Sequence, residues 1–133
     1  MNKIPEPPAN ARVSTSGLTW LSDDGVIIAI ANPQPLHTLE NAIENTRINQ
    51  DLAGDIKRPF IIDLTKVTAM SREARAYYAG PEPRKSLTAV ALITESNIGR
   101  LVANFFIGLT KPVLPTKLFN SYNEALEWVL KYK

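Results

Sequence analysis

From Pro59 to Gly80 the chain reads PFIIDLTKVTAMSREARAYYAG, and this stretch limits the fold more than any other. Phe60, Ile61 and Ile62 form an unbroken apolar run, the pattern of a strand covered on both faces, and Asp63 ends it with a charge. A short polar loop containing Thr65, Lys66 and Thr68 follows, and Ser71 then opens a helix that Gly80 and Pro81 close. A strand buried on both faces needs a covering layer on each side of its sheet. The chain is thereby directed towards a layered α/β domain.

The flanking sequence agrees with that architecture. Gly17 to Leu21 and Val26 to Ala31 read as two strands joined by Ser22, Asp23, Asp24 and Gly25, a hairpin-turn composition. Pro33 and Pro35 interrupt the pattern, after which Thr38 to Leu52 carries Leu39, Ala42, Ile43 and Thr46 at helical spacing. Leu87 to Thr94 reads as another buried strand, and Ser96 caps a third helix reaching about Leu109, where Lys111 and Pro112 stop it. Thr116 to Phe119 is a last short strand. Ser121 and Glu124 then form a capping box for a helix with Tyr122, Ala125, Trp128, Val129 and Tyr132 on one side. This alternation calls for a mostly parallel central sheet of about five strands with about four helices and an N-terminal antiparallel hairpin. The domain is expected over residues 13–133, behind a flexible Pro-rich lead over residues 1–12.

Composition narrows the function. A chain of 133 residues suits one domain with one sizeable core, and 44% hydrophobic against 21% charged residues is ordinary for a globular protein. The net charge of +2 comes from 15 Lys and Arg against 13 Asp and Glu spread along the chain, so no nucleic-acid partner is expected. The absence of cysteine excludes disulfides, thiolate metal sites and thiol catalysis. No apolar run serves as a signal-peptide core or approaches the ~20 residues of a membrane span, and a cytoplasmic protein is expected. Gly-rich phosphate loops, G-x-S-x-G elbows and H-E-x-x-H patterns do not occur. The single histidine, His37, stands beside the start of the first helix and is expected to be exposed and incidental. The expectation is therefore a protein that is not an enzyme and holds no metal or cofactor.

The layout of Asp63, Leu64, Thr65, Val67 and Met70 ahead of the second helix resembles the segment D-L-(S/T)-x-V-x-x-(I/M)-D-S-(S/A)-G of the STAS family, the anti-sigma factor antagonists and their SpoIIAA-like relatives. The order of strands and helices from about Val13 onward is similar too. The resemblance implies a single SpoIIAA-like domain that regulates by binding a protein partner through the second helix and its preceding loop. In switched family members a serine in that loop accepts phosphate. Here Ser71 falls at the motif's Asp, the phosphoacceptor position falls on Arg72, and Glu73 and Ala74 follow, which argues against a phosphoserine switch of that kind. Ser71 is either an N-cap or, with the loop shifted by one residue, a phosphate acceptor favoured by the free amides of a helix start. Asp63 ends a parallel strand, where open α/β sheets bind ligands, or else only bonds loop amides. Tyr77 and Tyr78 point about 100° apart on a helix, so burial explains one of them, and Tyr78 joins Asp63, Ser71 and Arg72 as a candidate recognition residue.

The third helix carries more apolar surface than one face can hold. Ile98, Leu101, Val102, Phe105 and Leu109 fill a core-facing stripe, whereas Phe106 lies outside it and Ile107 projects nearly opposite. Phe105, Phe106 and Ile107 are thus expected either to pack on the final helix under Trp128, to form a homodimer interface, or to meet a lipid or apolar ligand. The last of these matches SpoIIAA-like relatives outside the sporulation switch, whose resemblance implies apolar-ligand carriage or membrane association.

Overall fold

The computed structural model describes residues 4–97, 100, 101, 104, 107 and 114–133. Six strands form one sheet: β1 (Arg12–Ser14), β2 (Gly17–Leu21), β3 (Ile27–Ala31), β4 (Arg58–Asp63), β5 (Leu87–Ile93) and β6 (Thr116–Phe119). Their order across the sheet is their order along the chain. β1, β2 and β3 pair antiparallel, while β3, β4, β5 and β6 pair parallel. The expected hairpin closes at Gly25, whose φ of +81° is open to glycine, with the Ser22 amide donating to the Val26 carbonyl at 2.8 Å. The structure adds a sixth strand, β1, at the edge beyond the hairpin. It begins at Arg12, and Ile4 and Ala11 ahead of it pack against the core.

Helix α1 (Leu39–Ala53) is capped by Thr38, whose hydroxyl accepts from the Asn41 amide, and it ends at Gly54 with φ +66°. Helix α2 (Arg72–Ala79) starts at Ser71, and a single further turn, α3 (Pro81–Arg84), leads into β5. Asn97, Arg100, Leu101, Asn104 and Ile107 are helical, and a C-terminal helix (Tyr122–Val129) closes the fold.

Side chains alternate across the sheet and divide the core in two. On one face Trp20, Ile28, Ile61, Ala91 and Ile93 pack under Tyr122, Ala125 and Val129 of the C-terminal helix. Burying each of the larger aliphatic side chains there contributes roughly 1.5–3 kcal/mol. On the other face Ile27, Ala29, Phe60 and Leu87 meet Ala53 of α1, and Ala31, Leu64, Val67 and Leu92 meet Ile107.

This division corrects the reading of the third helix. Ile107, expected to project away from the core, packs against it, and Leu101, expected within the core-facing stripe, is 68% exposed. The helical phase is therefore rotated. Packing of Ile107 on the final helix is also excluded, because Trp128 lies across the sheet from it, its ring 5.7 Å from that of Phe119. Phe105 and Phe106 lie outside the described residues.

Candidate functional site: a cavity with a closed polar ring

The site begins with the two prolines after β3. Pro33 and Pro35 hold that loop extended, and it runs alongside the loop after β4 as a pair of isolated parallel bridges, Gln34 with Val67 and His37 with Met70. The lacing is all backbone: the Gln34 amide donates to Lys66, the Thr68 amide to Gln34, the His37 amide to Ala69, and the Ser71 amide to His37, at 2.8–3.1 Å. Both loops stand at the carboxyl ends of adjacent parallel strands, and His37 is carried inward between α1 and α2.

His37 is 4% exposed, contrary to the expectation of an exposed, incidental residue. Both ring nitrogens are engaged, Nδ1 with Gln34 Oε1 at 2.6 Å and Nε2 with the Tyr78 hydroxyl at 2.7 Å. The proton positions follow from the neighbours. The Gln34 side-chain amide nitrogen donates to the carbonyls of Ser16 and Asn32, which leaves its oxygen as acceptor and makes His37 Nδ1 the donor. Nε2 is then bare and accepts from the Tyr78 hydroxyl. The Tyr78 oxygen accepts from Asn45 Nδ2 at 3.3 Å, and Asn45 Oδ1 accepts from Ser16 Oγ at 2.9 Å. The chain of bonds leaves Ser16 by its side chain and returns to it by its carbonyl, a closed ring through the β1–β2 turn, the β3–α1 loop, α1 and α2. Burial pushes His37 down to about 4 and the Tyr78 phenol up, so both are neutral at pH 7.

Beside the ring lies a cavity of about 80 Å³ between the sheet and α1. Its origin is small side chains on the sheet facing polar ones on the helix: β3 offers Ala29 and Ala31, and α1 lines the hollow with Asn45, Thr46 and Asn49. One end of the wall is polar, with Ser16, His37, Asn45 and Tyr78 of the ring. The other is apolar, with Phe60, Ile62, Leu64, Leu87, Val90 and Leu92. Among the described lining residues there is no Asp, Glu, Lys or Arg.

Five polar side chains among the described lining residues stand outside the ring, of which Ser14 and Thr116 donate to the Gly17 and Leu114 carbonyls. Thr19 of β2 and Thr46 and Asn49 of α1 are each at least 95% buried, line the cavity, and make no side-chain hydrogen bond to another described residue. Thr46 and Asn49 are three residues apart and share one helix face.

The residues singled out in the sequence divide between core, caps and surface. Asp63 Oδ1 accepts from the Thr65 amide at 2.9 Å and from its hydroxyl at 2.6 Å, bonds that fasten the strand end. Ser71 Oγ accepts from the Ala74 amide at 3.0 Å and caps α2. Arg72 is exposed, whereas Tyr78 turns its hydroxyl into the ring. Ser16, Thr19, Gln34, Asn45, Thr46 and Asn49 had not been singled out as site residues. A signal for the last three existed, since Ala42, Asn45, Thr46, Asn49 and Ala53 fall on one helical stripe made only of small or polar residues. Among the described residues no group of three His, Cys, Asp or Glu could hold a metal ion, and no helix is long and apolar enough to cross a membrane.

The fold has solved counterparts. An uncharacterized protein of the DUF3478 family from Shewanella loihica PV-4, described as having a SpoIIAA-like fold, is 20% identical, with 90% of each chain covered and a TM-score of 0.56. A protein of unknown function from Arthrobacter sp. FB24 is 30% identical over 89% of this chain and 96% of that one, with a TM-score of 0.36. No curated protein matches. The sheet order, the N-terminal hairpin and the first of these likenesses together make the fold SpoIIAA-like. A model of one domain of unknown function, DUF7793, matches residues 19–133, from the first of the three unpaired polar residues to the last residue of the chain, and the protein belongs to that family.

Proposed function

We propose that this domain is a binding module rather than an enzyme, and that it carries or senses a small, largely apolar molecule held between the sheet and α1. The observation that carries this reading is the cavity itself: a largely apolar interior whose wall also holds the polar side chains of Thr19, Thr46 and Asn49. A ligand that offers those side chains a hydrogen-bond partner gains about 0.5–1.5 kcal/mol per bond. Ile107 supports the assignment, since it packs on Ala31, Leu64 and Leu92, which also line the cavity. The ring does not favour catalysis, because His37 and Tyr78 are neutral and spend their hydrogen-bonding capacity on each other and on Gln34 and Asn45. Recognition of a protein partner through α2 is the weaker reading, since Arg72 alone of its four residues is exposed.

The test is native mass spectrometry of protein purified gently from its host. Wild type should carry a bound organic molecule, and Ala29→Leu, which fills the hollow, should lose it while unfolding cooperatively. A wild type that flies bare overturns the proposal.

A further inference from the structure

We infer that the ligand is uncharged and that its single hydroxyl, carbonyl or amide group sits among Thr19, Thr46 and Asn49; this rests on the cavity being a ligand site. Two observations converge on it. Among the described lining residues no Asp, Glu, Lys or Arg stands ready to pair with an ion, and the one histidine is neutral. A carboxylate or ammonium placed among them would be stripped of water with no counter-charge from these residues, a costly arrangement in a protein interior. The polar groups that remain are of a matching kind. Each ring member is bonded to its neighbours in the ring, so Ser16, Asn45, Tyr78, His37 and Gln34 hold each other. Thr19, Thr46 and Asn49 offer two hydroxyls that donate or accept, and one carboxamide that does both. That set complements a neutral group able to give and take one hydrogen bond. The volume of about 80 Å³ is roughly half that of the ~150 Å³ engineered cavity that admits benzene, so the buried part of the ligand is short.

A matched pair of probes with xenon as an apolar reference tests the inference by methyl and side-chain amide NMR. At pH 7.5, 1-butanol should shift the Asn49 side-chain amide and the Leu92 methyl signals to saturation, while butyrate at the same concentrations leaves them in place. Asn49→Leu should weaken 1-butanol binding about tenfold, the loss of one hydrogen bond, with xenon binding retained to show that the cavity persists. Butyrate binding as well as 1-butanol overturns the neutral-ligand inference and leaves the binding module standing. Xenon entering while 1-butanol does not, or Asn49→Leu having no effect on 1-butanol, removes the polar seat. If neither probe nor xenon enters, the cavity is not a ligand site and the proposed function falls with the inference.

Discussion

Protonation of His37 should weaken this fold over a defined window of acid pH, and the size of the effect follows from its burial. Desolvation lowers His37 from 6.5, its value in an unfolded chain, to about 4 in the fold. Between those two values the unfolded chain binds a proton that the folded one refuses, so stability falls as pH falls from 6.5 to 4. Below 4 both states are protonated and the loss stops growing. Each unit is worth about 1.4 kcal/mol, and the whole window roughly 3 kcal/mol, a large share of the 5–15 kcal/mol that holds a typical domain together. Structurally, a proton on Nε2 turns an acceptor into a donor facing the Tyr78 hydroxyl, 2.7 Å away. Tyr78 must then swing its own hydrogen elsewhere, and the ring opens. The measurement is urea unfolding followed by Trp20 and Trp128 fluorescence at pH 7.5, 6, 5 and 4, for wild type and His37→Gln. Wild type should start more stable, and its advantage should shrink by about 3 kcal/mol across the series. Parallel pH profiles for the two proteins would refute the argument, since the carboxylates they share cancel in the comparison.

Two further outcomes follow from local geometry. Gly17→Ala should lower stability by about 3 kcal/mol, near 10 °C in melting temperature, because a Cβ there would sit 2.1 Å from the Ile30 carbonyl oxygen of the neighbouring strand; an unchanged melting curve would show that β2 and β3 are not so closely paired. Ser71→Ala should cost about 1 kcal/mol and speed amide exchange in the first turn of α2 while leaving the His37 side chain in place, because His37 is tied to Ser71 through backbone atoms only. Loss of the His37–Tyr78 bond in that variant would contradict it.

The sequence announced its fold wherever one strong local signal acted alone. The Phe60–Ile62 run, the Asp24-Gly25 turn and the caps at Ser71 and Ser121 each specify an element from a few neighbouring residues. The three-residue strand β1 was illegible because strand pairing with β2, not its own pattern, makes Arg12–Ser14 extended. The third helix misled for a related reason. Its apolar residues surround it, so the wheel offers more than one stripe, and only the sheet decides that Ile107 faces inward and Leu101 does not. The site was hardest to read because it is assembled from four separated segments, and no spacing rule relates Ser16, His37, Asn45 and Tyr78. An isolated histidine between Leu36 and Thr38 carries no mark of burial. What places it inside is the pairing of two loops, an interaction between residues 34–37 and 66–71 that neither segment encodes by itself.

The strictly sequential sheet has a consequence for how the protein is made. Each strand can dock on its predecessor as it emerges, so the sheet grows in the order of synthesis and needs no late insertion. Its two faces are not completed together. The hollow under α1 is roofed early, whereas the surface of Trp20, Ile28 and Ile61 waits for Tyr122, Ala125 and Val129. At ~5–20 residues per second, the interval between Asp63 and Val129 is on the order of 3–13 s, during which a nascent chain presents an open apolar sheet with a growing parallel edge. A ribosome stalled before residue 122 would leave that surface uncovered, and chaperone capture of such chains should cease once the C-terminal helix is released.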